Sequence, residues 1–180
     1  MPADMKEIIA EAVKTLLMEK GVKKLTVKDI VNECQITRQA FYYHFEDIPA
    51  LFNWMLERGL TQTMLEAKGL EGGEAQLKRL FVMAINALPY VKKGMQSNYR
   101  DELERFLAQY TQRLFERACD EEHLYQNCSR FEVGLILRYH SQAILGILRS
   151  WTDADTRNLD LIVHTVFRLM TDGIAPRSPG

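Results

Sequence analysis

Apolar residues recur along this chain with a helical period and hardly ever alternate. Ile8, Ile9, Ala12, Val13, Leu16 and Leu17 make one stripe, the spacing of a helix with a single buried face. It predicts a helix from about Asp4, a plausible N-cap, to Lys20, stopped by Gly21. A second stripe, Val27, Ile30, Val31 and Cys34, follows "TVKD", a capping box that starts its helix at Thr26. After the tight break "CQIT", Thr37 caps a short third helix. Pro49 suits the first turn of a fourth, which runs to about Lys68.

Three glycines within "GLEGGE" shift the composition and predict a hinge or loop. Beyond it the periodicity predicts helices over about 74–92, 100–120, 129–151 and 156–172, the first and third of them open to a break. "DGIAPRSPG" reads as a frayed tail. The expected fold class is therefore all-α. Residues 1–48 form a three-helix helix-turn-helix domain, and residues 49–180 form a larger helical domain.

Composition changes this picture little. A chain of 180 residues that is 47% hydrophobic and 26% charged can bury a core without disulfides. The 3 cysteines, Cys34, Cys119 and Cys128, form no CxxC pair, so neither a disulfide framework nor a zinc site is indicated. A reducing cytoplasm fits them best. The N-terminus has no unbroken apolar run and is not a signal peptide. Arg138, His140 and Arg149 interrupt Phe131–Trp151, the most apolar stretch, which argues against a membrane span. A net charge of −1 means that any nucleic-acid face must be local.

The stretch "TRQAFYYHF", Thr37–Phe45, is the chemically dense part. On a helical wheel, at about 100° per residue, Arg38, Gln39, Tyr42 and Tyr43 fall on one side. Ala40, Phe41, His44 and Phe45 fall on the other. The apolar side can pack on the first two helices, and the polar side points outward. Two short helices joined by a tight turn and packed on a longer one make a helix-turn-helix. Its second helix enters the DNA major groove with its first residues at base edges. Arg suits guanine and Gln suits adenine. The helix starts at Thr26 and Thr37 offer backbone N–H groups to phosphates. Lys20, Lys23, Lys24 and Lys28 supply positive charge nearby. From periodicity alone, an amphipathic helix whose tyrosines merely cover a core edge accounts for the stretch equally well.

The order of residues decides between them. "LTVKDIVNECQITRQAFYYHFEDIPALF", Leu25–Phe52, resembles the N-terminal DNA-binding domain of the TetR family of bacterial transcription regulators. Thr26-Val27, Ile30-Val31, Thr37, Tyr42-Tyr43-His44-Phe45 and Leu51 carry the resemblance, which covers roughly the first third of the chain. It implies that Thr26, Lys28, Thr37, Tyr42 and His44 hold phosphates, while Arg38, Gln39 and Tyr43 approach bases. Two positions depart from the pattern. Gln35 stands where the turn usually has Gly, and Ile48 stands where a Lys often contacts phosphate.

The resemblance further implies a homodimer, since two reading helices must be spaced by about one duplex turn, ~34 Å. The last two long helices are the candidates for pairing, with Leu145, Leu148, Ile162 and Val166 at the interface and Gly134, Ser141, Ala143 and Gly146 allowing close approach. "GILRSW" looks like the branch that includes regulators of dihydroxyacetone kinase genes. The middle helices are expected to enclose a pocket for a small-molecule effector of unknown identity. Its candidate lining is Phe81, Met83, Phe106, Tyr110, Tyr139 and His140, mostly apolar with a few polar tips. Tyr139 and His140, inside an apolar helix, would need polar partners if buried.

No catalytic constellation is present. The chain has no HExxH, no glycine-rich phosphate loop and no nucleophile elbow, and its histidines fall in no ligand spacing. No cofactor or metal is expected. Asp160, His164 and Arg168 read as a solvated row of charges. The expected function is a ligand-responsive, DNA-binding repressor acting on a two-fold operator. The alternative is a family relative that works as a co-regulator through protein contacts, with a degenerate DNA face.

Overall fold

The computed structural model describes residues 4–67, 72–121 and 125–172. Among them every regular element is an α-helix: α1 Met5–Met18, α2 Val27–Cys34, α3 Arg38–His44, α4 Ile48–Ala67, α5 Gly73–Gly94, α6 Arg100–Glu121, α7 Arg130–Arg149, α8 Asp153–Arg157 and α9 Leu159–Thr171. No described helix is long and apolar enough to cross a membrane. The chain divides into two compact units, Met1–Gln62 with Ala87–Tyr110, and Thr63–Asn86 with Thr111–Gly180. This division cuts across the expected boundary at residue 48, because α4 begins inside the first core.

That core explains why. Ile9, Val13, Leu16 and Leu17 of α1 close on Ile30 and Val31 of α2 and on Phe41 and Phe45. Ile48, Leu51 and Phe52 of α4 and Leu103 of α6 complete it, with Met95, Tyr99 and Phe106 packed against it. Each of these large side chains contributes about 1.5–3 kcal/mol by leaving water. The turn after α5 meets α6 closely, since a Cβ on Gly94 would stand 2.7 Å from Leu103 Cδ1.

Local signals set the helix starts. Asp4 caps α1 through Lys6 N–H, and Thr26 with Asp29 forms the expected capping box of α2. Gln35 ends α2 in the left-handed region, φ 56° and ψ 40°. A glycine would hold this conformation without a Cβ clash. Gln35 instead turns the chain so that Ile36 N–H reaches Val31 O at 3.0 Å.

In the second unit Leu77, Phe81, Leu137, Ile144, Trp151, Val163 and Val166 are buried. Phe81 and Trp151 pack with ring centroids 5.8 Å apart and planes tilted by 48°. Neither α5 nor α7 is broken, although Pro89 lies inside α5. The last expected helix is two. Thr152 and Asp155 form a capping box that opens α8 early, and Asn158 then separates α8 from α9. The row Asp160, His164 and Arg168 is paired with Lys78, Glu74 and Asp172 in turn. The first half of the hinge expected at "GLEGGE", residues 69–71, lies outside the described residues, as does the tail from residue 173 onward.

Candidate nucleic-acid interface

Helix α3 is short, and its two sides have opposite burial. Phe41 is fully buried and Phe45 nearly so; their rings lie 6.0 Å apart inside the first core. Arg38 and Gln39 are exposed. Tyr42 is 56% and Tyr43 84% exposed. Water covers a tyrosine to that extent only where no core claims the ring. His44 is half-buried, its ring edge-on to Tyr43 at 5.0 Å. Thr37 starts the helix by accepting Ala40 N–H at 3.1 Å.

The start of α2 lies in the same unit. Lys28 is exposed, as are Lys23 and Lys24 in the loop before it. Lys20 is not a free charge, since Glu33 pairs with it. The Thr26 hydroxyl donates to Asp29 Oδ2 at 2.6 Å and accepts Asp29 N–H at 3.3 Å. With that box intact, α2 has its backbone N–H groups to offer an anion rather than the hydroxyl proton of Thr26.

The loop between α3 and α4 reverses the charge. Glu46 and Asp47 are exposed, and Asp47 caps α4 by accepting Ala50 N–H at 2.7 Å. Ile48, where a cation is often found, is 2% exposed and belongs to the core. The cationic contribution to this face therefore comes from α2 and the loop before it.

Cys34 is half-buried, with its Sγ donating to Ile8 O at a long 3.9 Å. Burial first, and the Glu33 carboxylate second, push its thiol above the ordinary range. This is the chemistry of a small core residue rather than a reactive thiolate.

The six residues expected to line an effector pocket are divided between the units. Phe106 packs on the first core, and Tyr110 is buried in the same unit with its hydroxyl on Asn53 Oδ1 at 3.0 Å. Phe81, Met83, Tyr139 and His140 belong to the second unit. Tyr139 is 61% exposed. It stands on the side of α7 opposite Leu137, Ser141 and Ile144, which are the buried row. His140 is half-buried, and burial pulls its pKa below the usual imidazole value. A concavity of about 540 Å³ runs along α4, lined by Trp54, Glu57, Arg58, Thr61 and Gln62, none of them among the expected residues.

The residues expected to pair differ in burial. Val166 is buried in its own unit, and Leu145, Leu148 and Ile162 are half-buried. On α7 and α9 the large apolar side chains left in water are Phe131, 78% exposed, Leu135 and Tyr139, and Leu161 and Leu169. Sequence reading missed these rows because α7 is apolar on nearly all sides. The usable signal was the i, i+4, i+8 spacing of Phe131, Leu135 and Tyr139. Among the described residues, no cluster of three or more His, Cys, Asp or Glu side chains could hold a metal.

Comparison with known proteins agrees with the helix-turn-helix. Residues 8–55 match the family described as bacterial regulatory proteins, tetR family. The chain is 27% identical over 145 residues to the HTH-type dhaKLM operon transcriptional activator DhaS of Lactococcus lactis subsp. lactis, covering 79% of this chain and 76% of that protein. The solved structure of a dihydroxyacetone kinase operon activator DhaS matches with a TM-score of 0.65 and 22% identity, over 94% of this chain and 95% of that one. The fatty acid degradation regulator FadR from Bacillus halodurans matches with a TM-score of 0.60 and 16% identity, over 96% of this chain and all, 100%, of the other. Both share the fold. The match to the tetR family of bacterial regulatory proteins lies in the helix-turn-helix within residues 8–55, and over most of its length the chain is similar to a transcriptional regulator.

Proposed function

We propose that this regulator binds a two-fold symmetric DNA operator as a homodimer in the cytoplasm and that a small-molecule effector held by its C-terminal part controls that binding. The observation that carries the reading is the solvent-facing row Arg38, Gln39, Tyr42 and Tyr43 on α3. Arg38 and Gln39 open the helix, where a reading helix meets base edges. Thr37, Tyr42 and His44 hold phosphates beside them, and Lys28 and the start of α2 hold a neighbouring phosphate. What supports pairing is the pair of exposed apolar rows, Phe131, Leu135 and Tyr139 on α7 and Leu161 and Leu169 on α9. Surfaces of that kind mark contact sites.

Effector control follows from linkage. A ligand that prefers one arrangement of the reading helices shifts operator occupancy by its differential affinity alone, and about 1–3 kcal/mol of coupling changes affinity roughly 5–150-fold. The sequence by itself led us to expect repression. The 27% identical relative is an activator, and that likeness favours activation.

A second reading rests on Glu46, Asp47 and the buried Ile48, which leave the α3–α4 loop acidic. In it the chain is a co-regulator that works through protein contacts. Selection of bound duplexes from a random pool at moderate salt tests the two. A palindromic enriched site is the expected result, and no enrichment would leave only the co-regulator.

A further inference from the structure

Leu25 is fully buried and immediately precedes the cap of α2. Its backbone is met by one side chain from 73 positions along the chain. Asn98 Oδ1 accepts Leu25 N–H at 3.0 Å, and Asn98 Nδ2 donates to Leu25 O at 3.4 Å. A carboxamide that pairs both groups of one residue imitates a backbone partner. It fixes the peptide plane as well as the position.

The turn that carries Asn98 is itself held. Ser97 Oγ donates to Gly94 O at 2.6 Å and accepts Tyr99 N–H at 3.2 Å. Tyr99 lies edge-on to Phe52 at 5.9 Å, and Leu103 enters the first core. The elbow between α5 and α6 is thus a rigid mount for the amide.

We propose that Asn98 is a positioning residue for DNA binding: by clamping Leu25 it sets the start of α2, with Lys23, Lys24 and Lys28 beside it, where phosphates are met. This rests on the DNA-binding reading above. The clamp touches neither Arg38 nor Gln39, so it governs phosphate affinity and leaves base choice alone. Helices α5 and α6, which the elbow joins, also supply residues to the second unit. A displacement of the elbow is therefore felt at α2.

The test uses the full chain with Asn98→Ala, and Tyr110→Phe as a control that loses a different bond of the same unit. Hydrogen exchange without DNA should show the Leu25 amide exchanging about tenfold faster in Asn98→Ala, the effect of one lost hydrogen bond, and unchanged in Tyr110→Phe. Binding to the duplex selected by the wild type should weaken several-fold, with a salt slope lower by roughly one unit and an unaltered order of preference among base variants. Unchanged Leu25 exchange overturns the clamp. Faster exchange with unchanged affinity and slope makes it a folding contact only and overturns the positioning role. A wild type that binds no duplex overturns both this inference and the DNA-binding reading, and it is told apart because the failure lies in the parent protein.

Discussion

The Tyr110 hydroxyl donates to the Asn53 side-chain oxygen at 3.0 Å, joining α6 to α4 within the first unit. Tyr110 is buried, so its polar tip needs such a partner. Removing the hydroxyl alone should therefore cost stability. Tyr110→Phe is expected to lose about 0.5–1.5 kcal/mol, read from the denaturant midpoint at constant m-value. An unchanged midpoint would mean the bond contributes nothing net.

Gln35 occupies a left-handed conformation, φ 56°, that disfavours any side chain with a Cβ by about 1–2 kcal/mol. Glycine removes that strain but loses more freedom on folding, about 0.5–1 kcal/mol. Gln35→Gly should then stabilise by up to about 1 kcal/mol. A lower melting temperature would contradict the strain argument.

Arg38 and Lys28 should fail differently when truncated. Arg38→Ala should cost about 1–3 kcal/mol at the preferred operator and relax base choice at one position. Lys28→Ala should weaken every duplex and reduce the salt slope by roughly one unit. Equal losses on all sequences for Arg38→Ala would remove it from the base-reading set.

Leu135 and Leu161 stand in water on α7 and α9. If these rows pair two copies, Leu135→Arg should bury an unpaired charge and shift sedimentation toward the monomer at micromolar protein. A wild type already monomeric there would end the proposed pairing.

Burial lowers the His140 pKa below its usual 6.5. The unfolded chain therefore binds the proton more readily than the folded one. The sign is fixed: the stabilising contribution is whole above about pH 6.5 and is lost as pH falls below it. His140→Gln should flatten stability against pH in that range. A profile as steep as the parent's would place the titration elsewhere.

Much of the helix-turn-helix was legible in the sequence. The stripes of α1 and α2, the box at Thr26 and the cap at Thr37 are local signals, and a period near 3.6 told the buried side of α3 from its polar side. The second unit was less legible. In α7 nearly every side is apolar, so periodicity could not say that Tyr139 faces water.

The sequence by itself determined the first three helices, the caps at Asp4, Thr26 and Thr37 and the polar row on α3, because these depend on residues within a few positions of one another. Only the tertiary structure decided that Ile48 and Leu103 join the first core, that Tyr110 meets Asn53, and that Asn98 holds Leu25. Those pairings depend on how helices distant along the chain approach in space, and no local period encodes that approach.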